Sequence, residues 1–419
     1  MLRVRNETSM FQRILLWPAI VVLLVVAAGV GIVAADWPYF KRVIELPGDP
    51  GEWPESFYQP VRVIDGGSGP FFPTASGSER SIAQSALDAA AAWAGEHNSV
   101  ALLVLHRGRI QLEQYWQGMT ADTLFSGRSM SRSLVGLAYG DAVQSGALGL
   151  DDPAGRYLEE WRGDPRGRIT LRQLLQSTSG LEELPLDAVP LHPGESRLER
   201  GLAKLRSLTA KNTRLALGTD FGKAALSFRL EHEPGARFSF ANSNPQILGV
   251  ILGRALHTDY AAWIEERVWK PLGAGRAEFY LDRPNGMPAV YCCFRANPHD
   301  WLRLGSLLAH DGVYLGRRVL PAGWVATMAT TSKANPLYGL QVWSGRAPAG
   351  LREYLPGTGY GVEHGEAFVA ADTIWMEGGG GRTVWAIPSE DLVIVRLGRQ
   401  AKGWDGSVIP NTLVRGILR

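Results

Sequence analysis

Leu124-Phe125-Ser126-Gly127-Arg128-Ser129-Met130-Ser131-Arg132-Ser133 is the stretch on which the reading of this chain turns. It opens a helical pattern from about Ser129 to Gln144 that is apolar nearly all round, the mark of a helix enclosed by a core. Gly136 and Gly140 inside that pattern predict close packing against neighbours. A serine hydroxyl at a helix N-terminus meets free backbone N–H groups and the positive end of the dipole, which suit an oxyanion. Arg132 follows about one turn later on the same face. Taken alone, Ser129 reads as an N-cap.

Outward from this helix, the chain alternates between strand-like and helical patterns. Ser81 to about His97 is Ala-rich and helical, with Ile82, Leu87 and Trp93 on an apolar face. Val100 to Leu105 and Arg109 to Tyr115 read as strands joined by a turn at His106-Arg107-Gly108. From about 150 to 330 the pattern is short helices and loops, among them a helix capped by Thr170 and running to Gln176. Asp372 to Met376, Val384 to Ile387 and Leu392 to Leu397 read as antiparallel strands, and Asn411 to Leu418 as a closing helix. Strands at both ends with helices between them predict one sheet interrupted by a helical insertion.

Composition narrows the function. The 419 residues are 45% hydrophobic and 20% charged, which excludes wholesale disorder and allows two or three domains, or one with an insertion. With 43 Lys+Arg against 41 Asp+Glu, the net charge of +2 leaves no basic excess for nucleic acid. The two cysteines, Cys292 and Cys293, are adjacent; they form no disulfide framework or zinc spacing and are expected to be buried thiols. The eight histidines include no His-x-x-x-His pair, so no metal is expected. Gly378 to Gly381 lack a following Gly-Lys-Ser/Thr and read as the wall of an edge strand rather than a phosphate loop. Glu159-Glu160 and Glu182-Glu183 read as solvated surface, and Trp375 as a candidate for the pocket wall.

Ile14 to Ala35 carries no charged residue and is long enough to cross a bilayer, which takes roughly 20 apolar residues. Arg3, Arg5 and Arg13 before it orient the N-terminus to the cytoplasm. Val33-Ala34-Ala35 before Asp36 also resembles a cleavage site, but the run exceeds the usual signal-peptide core of about 7–15 residues. The expected division is 1–13 cytoplasmic, 14–35 a transmembrane signal-anchor, 36–80 a linker or lead-in, and 81–419 an exported domain with its insertion at about 150–330. The expected location is a bacterial inner membrane, single-pass, with the large domain on the periplasmic side.

Further segments recur in a telling order. Gly149-Leu150-Asp151-Asp152-Pro153, Ile169-Thr170-Leu171-Arg172-Gln173-Leu174-Leu175 and Thr178-Ser179-Gly180-Leu181 follow the serine helix. His232-Glu233-Pro234-Gly235, Phe238-Ser239-Phe240-Ala241-Asn242, the Cys292–Ala296 stretch before Asp300-Trp301, and the glycine run come after them. This succession, over about residues 81 to 419, resembles the serine β-lactamase and penicillin-binding-protein superfamily, above all class C-like esterases and 6-aminohexanoate-dimer hydrolases. The resemblance implies a three-layer α/β (α+β) sandwich, its antiparallel sheet flanked by helices. It also implies a serine nucleophile that forms an acyl-enzyme on an amide or ester, with no cofactor. The implied ligand is a small amide, ester or peptide-like molecule, a class that includes β-lactams and D-amino-acid peptides.

The resemblance places Ser129 as nucleophile, and Gly378, Gly379 and Gly380 with Ser129 at the oxyanion hole. The family's Lys, three residues after the serine, is Arg132 here, and its Tyr is Phe240, while Asn242 of the same motif stays. At the third motif neither Lys nor His is present, and the position falls on Glu377 or Gly379. A guanidinium stays protonated and Phe has no hydroxyl, so both family bases are replaced. Losing positioned acid–base catalysis costs about 10²–10⁴ in rate. Two expectations follow: a serine hydrolase using Glu377 as substitute base, or a pseudo-hydrolase that binds a ligand or partner, with Glu377 paired to Arg132. A pure scaffold is a third class.

Overall fold

The computed structural model describes residues 8–47, 53–183, 196–346 and 348–419. A six-stranded antiparallel sheet forms its centre. Its strands are β1 (Ser99–His106), β2 (Arg109–Tyr115), β3 (Trp343–Ser344), β4 (Ile374–Gly378), β5 (Arg382–Ile387) and β6 (Leu392–Gly398). Their spatial order is β2-β1-β6-β5-β4-β3, so the N-terminal hairpin zips onto the C-terminal meander through β1 and β6. Five of them lie within two residues of the expected strands; Trp343–Ser344 was not expected. Both faces of β1 are buried, and its side chains alternate between two cores.

Leu102 and Val104 pack with Ile394, Trp385 and the helices α3 (Gln84–Glu96) and α7 (Val408–Arg415). Ala101, Leu103 and Leu105 face the larger core with α4 (Ser131–Gln144) and α6 (Pro298–Ala309). Gly305 explains how closely α6 lies on the sheet: a Cβ there would stand 2.5 Å from Val393 Cγ1 and 2.6 Å from Val384 Cγ1. The result is helices on both sides of an antiparallel sheet, as expected.

The stretch between β2 and β3 is mostly helical, with α5 (Ser243–Leu256) against α4, but it is not purely so. Ala277–Tyr280 and Arg295–Ala296 form a second sheet with Val61–Ile64 and Phe125–Ser126. Val61–Ile64 lies in the expected lead-in, which is therefore built into the folded body rather than hanging from it. The Thr170 cap is present, its hydroxyl accepting from Gln173 N–H in a capping box.

At the N-terminus, α1 spans Thr8–Ala35 and α2 spans Trp37–Glu45. Here the expectation of a single membrane span is corrected. Among the described residues no single helix is long and apolar enough to cross a membrane; Ile20–Ala35 and Trp37–Glu45, bent by 85°, meet that standard only together. Asp36 stands between them, at the N-cap position of α2. Arg3 and Arg5 lie outside the described residues.

Candidate functional site

Phe125–Ser126 pairs with Arg295–Ala296 and delivers the chain into the turn that carries Ser129. Arg128 sits there at φ 51°, a left-handed conformation, and Arg128–Met130 form one tight 3-10 turn before α4 starts at Ser131. Ser129 is thus not the N-cap; it stands on the lead-in turn, half-buried. Gly127 N–H donates to Phe294 O (2.9 Å), Cys293 N–H to Arg128 O (3.2 Å), and Phe294 N–H to Ser131 Oγ (2.9 Å). The 292–294 segment grips the turn from one side.

From the other side comes β4. A Cβ at Gly378 would lie 2.1 Å from Gly127 O and 3.1 Å from Ser129 N, so only glycine lets the strand approach this closely. Gly378 and Gly379 line a cleft with Ser129, Phe240, Asn242 and Glu377. Gly380 does not; at φ 78° it turns toward β5 and lines a neighbouring hollow. The cleft encloses a cavity volume of about 140 Å³ and opens to solvent. Among the described residues no side chain hydrogen-bonds to the Ser129 hydroxyl.

Arg132 lies behind the cleft wall and is 1% exposed. Its guanidinium carbon sits 3.5 Å from the Phe240 ring centroid, and Nη2 donates to Asn242 Oδ1 at 2.9 Å. The three motif positions therefore meet, but as a stack and a hydrogen bond rather than a proton relay. Burial lowers the proton affinity of Arg132, with the Tyr338 hydroxyl the leading opposing influence. Nε and Nη1 are buried without a well-formed hydrogen bond. A guanidinium remains charged in such surroundings.

The expected pairing of Arg132 with Glu377 is not formed. Glu377 accepts from Arg352 Nη2 on both oxygens at 2.6 Å, from Tyr354 Oη at 2.5 Å and from Trp375 Nε1 at 3.0 Å. Burial alone would raise its pKa, but Arg352 and these donors outweigh it and hold the carboxylate below its ordinary range. A carboxylate so stabilised is a weak base. The hairpin Gly350–Glu353/Gly361–His364 supplies Arg352 at its start and Tyr354 in its loop. Arg352 in turn stacks 3.8 Å from the Trp343 centroid, and Tyr354 lies on Phe240 at 5.1 Å.

Sequence reasoning missed most of the remaining wall. Trp53 and Tyr58 come from the lead-in, and Tyr280, Tyr291, Tyr354 and Tyr360 complete an aromatic lining. Burial raises the hydroxyl pKa of Tyr280 to about 12 and pushes Tyr291 and Tyr354 well above the ordinary value, so these phenols stay protonated at neutral pH. No one local spacing connects these residues to Ser129, and the sequence carried no signal for the tyrosines. Trp375, a candidate for the wall, is buried behind it, and Trp53 takes that place.

Cys292 and Cys293 also line the cleft, joined to each other as a disulfide rather than held as thiols. Glu182 departs from expectation as well: it is buried, and Lys211 and Arg229 hold it. Glu160 is at the surface as expected, paired with Arg254 at 2.7 Å. No group of three or more His, Cys, Asp or Glu among the described residues is arranged to hold a metal.

Comparison with known proteins bears on the family and the fold. The family model described as Beta-lactamase covers residues 85–414. Protein flp of Staphylococcus aureus (strain COL) is 26% identical over 196 residues, 44% of this chain and 35% of that protein, so the match spans about a third of the relative's length. Among solved structures, a Bacillus anthracis protein assigned as a 6-aminohexanoate-dimer hydrolase superposes with a TM-score of 0.66 at 18% identity, over 86% of this chain and 91% of that one. The octameric penicillin-binding protein homologue from Pyrococcus abyssi gives 0.56 at 16%, over 79% and 75%. At these identities the structural likeness is one of fold.

Proposed function

We propose, from the premise that this chain belongs to the Beta-lactamase family, that its cleft binds a small amide, ester or peptide-like ligand against Ser129 without the proton-transfer machinery of rapid turnover. One observation carries this reading: both residues at the family's base positions are spent on each other. Arg132 stacks on Phe240, and the carboxylate nearest to hand, Glu377, is held by Arg352, Tyr354 and Trp375. The aromatic wall supports recognition of an acyl or aryl group, and the glycines of β4 beside Ser129 support a carbonyl seated at the turn.

The second reading, acyl-serine chemistry, is favoured by the Ser129 hydroxyl itself, which opens to the cleft at a tight turn backed by Gly378. Intact mass of the chain after exposure to a fluorophosphonate and to a penicillin separates the two, beside Ser129→Ala. The expected result is no penicillin adduct, with a thermal shift on adding acylated peptides or lactams. An adduct that forms readily and vanishes in Ser129→Ala would replace the ligand-binding reading with a working hydrolase.

We also propose that α1 associates with a membrane. Its Val21, Val22, Leu23, Leu24, Val26, Val30 and Ile32 side chains are exposed, an arrangement that water disfavours. The body would then face the extracytoplasmic side of a bacterial inner membrane, which sedimentation with membranes and protease access from either side would test.

A further inference from the structure

A surface remote from Ser129 has its own pattern. Helix α2 turns its Tyr39 and Val43 inward and leaves Trp37, Lys41 and Ile44 on its outer stripe, at the i, i+4, i+7 spacing of one helix face. Beside it lies the helix Arg197–Ser207, whose outer stripe repeats that spacing with Leu198, Leu202 and Leu205, 72%, 42% and 63% exposed. The two helices share one groove, to which Ile44 and Leu205 contribute apolar surface and Arg197, Arg200 and Lys204 contribute charge. Lys204 Nζ ties them together by donating to Ile44 O (2.9 Å) and Leu46 O (2.7 Å). Across both helices the cations Lys41, Arg42, Arg197, Arg200, Lys204 and Arg206 outnumber Glu45 and Glu199, in a chain whose net charge is only +2.

We infer that this two-helix face lies flat on an anionic lipid surface and sets the orientation of the body above it. Three observations select lipid as the occupant. Leucines flanked by Arg and Lys on a short helix suit the boundary between headgroups and acyl chains. The local cation excess complements anionic headgroups. The face is also continuous with α1 through Trp37, and the 85° bend means that an α1 inserted into lipid would lay α2 along the surface. The inference rests on the reading of α1 as membrane-associated.

The platform is firmly joined to the body. Tyr39 Oη donates to Leu208 O (2.7 Å), Arg42 Nη1 donates to Gly218 O (2.8 Å), and Asp36 pairs with Arg214. Its attitude on the lipid therefore fixes the attitude of the cleft.

The test uses the full chain in nanodiscs of phosphatidylcholine, with or without phosphatidylglycerol. Nitroxide labels are placed singly by Leu202→Cys, Ile44→Cys, Leu24→Cys and, as an exposed control, Lys402→Cys, without reductant so that Cys292 and Cys293 stay paired. Oxygen, which concentrates in lipid, and a nickel chelate, which stays in water, then report each label's surroundings. The expected result is an oxygen-to-nickel accessibility ratio severalfold above the control at 202 and 44, higher still with phosphatidylglycerol, and reduced at 44 by an added Leu202→Glu. Control-like ratios at 202 and 44 with a lipid-embedded label at 24 overturn the inference and leave the anchor standing. A water-exposed label at 24 overturns the anchor reading and the inference with it. Spin–spin broadening at 202, or exclusion of both reagents there, means that a second copy or another protein segment covers the leucines, and also overturns it.

Discussion

Arg132 and Phe240 are best understood as one unit. A lysine in place of Arg132 alone would bury an ammonium against a phenyl ring, and a tyrosine in place of Phe240 alone would set a hydroxyl beside a guanidinium that cannot accept its proton. Arg132→Lys with Phe240→Tyr is therefore expected to raise hydrolysis of an activated ester by about 10²-fold or more, with little gain from either change alone, which initial rates would show. Arg132→Met should behave differently. Arg132 makes no ion pair among the described residues, so an apolar side chain of similar volume relieves a buried charge, and the melting temperature should stay at or above that of the parent. These positions were legible because the motif order fixed them. That they touch was not, since a spacing of over a hundred residues carries no geometry until the fold closes it.

The hairpin Gly350–Glu353/Gly361–His364 shows the opposite case, a structural element that sequence reading passed over. It is short and polar, and the burial of Arg352 leaves no periodic trace. Yet it determines the state of Glu377. Arg352→Met would leave that carboxylate buried with hydroxyl and indole donors but no cation, at a cost of about 3–5 kcal/mol in denaturant unfolding. His364 adds a pH dependence. Burial first, and the charge of Arg352 second, lower its pKa from 6.5 to about 4. The unfolded chain therefore binds the proton more tightly, so this contribution to stability is whole above pH 6.5 and is lost as pH falls toward 4. It amounts to about 3 kcal/mol, and His364→Gln should flatten stability between those pH values. The long strands of the central sheet, by contrast, were legible nearly to their ends because their apolar runs are bounded by turns such as His106-Arg107-Gly108.

Across the whole molecule, the central sheet, its flanking helices and the serine helix follow from the sequence, whereas the packing of the lead-in before residue 81 into the body does not. Val61–Ile64 edges the second sheet, and Trp53 and Tyr58 stand in the cleft, though Pro- and Gly-rich sequence around them resembles a tether. A chain starting at residue 81 should expose the edge of Ala277–Tyr280 and aggregate, and its cleft should bind ligand at least about tenfold more weakly than a chain starting at residue 53, as titration calorimetry would measure. The joints of α2 have a mechanical consequence. The bonds from Asp36 to Arg214 and from Arg42 to Gly218 hold the helix Lys211–Leu217 at its middle and its C-terminal end, and Ala216 on that helix forms part of the cleft wall. A sideways pull on the N-terminal helix would load these joints in shear before it reached the central sheet, so tension would be felt first at the rim where a ligand enters.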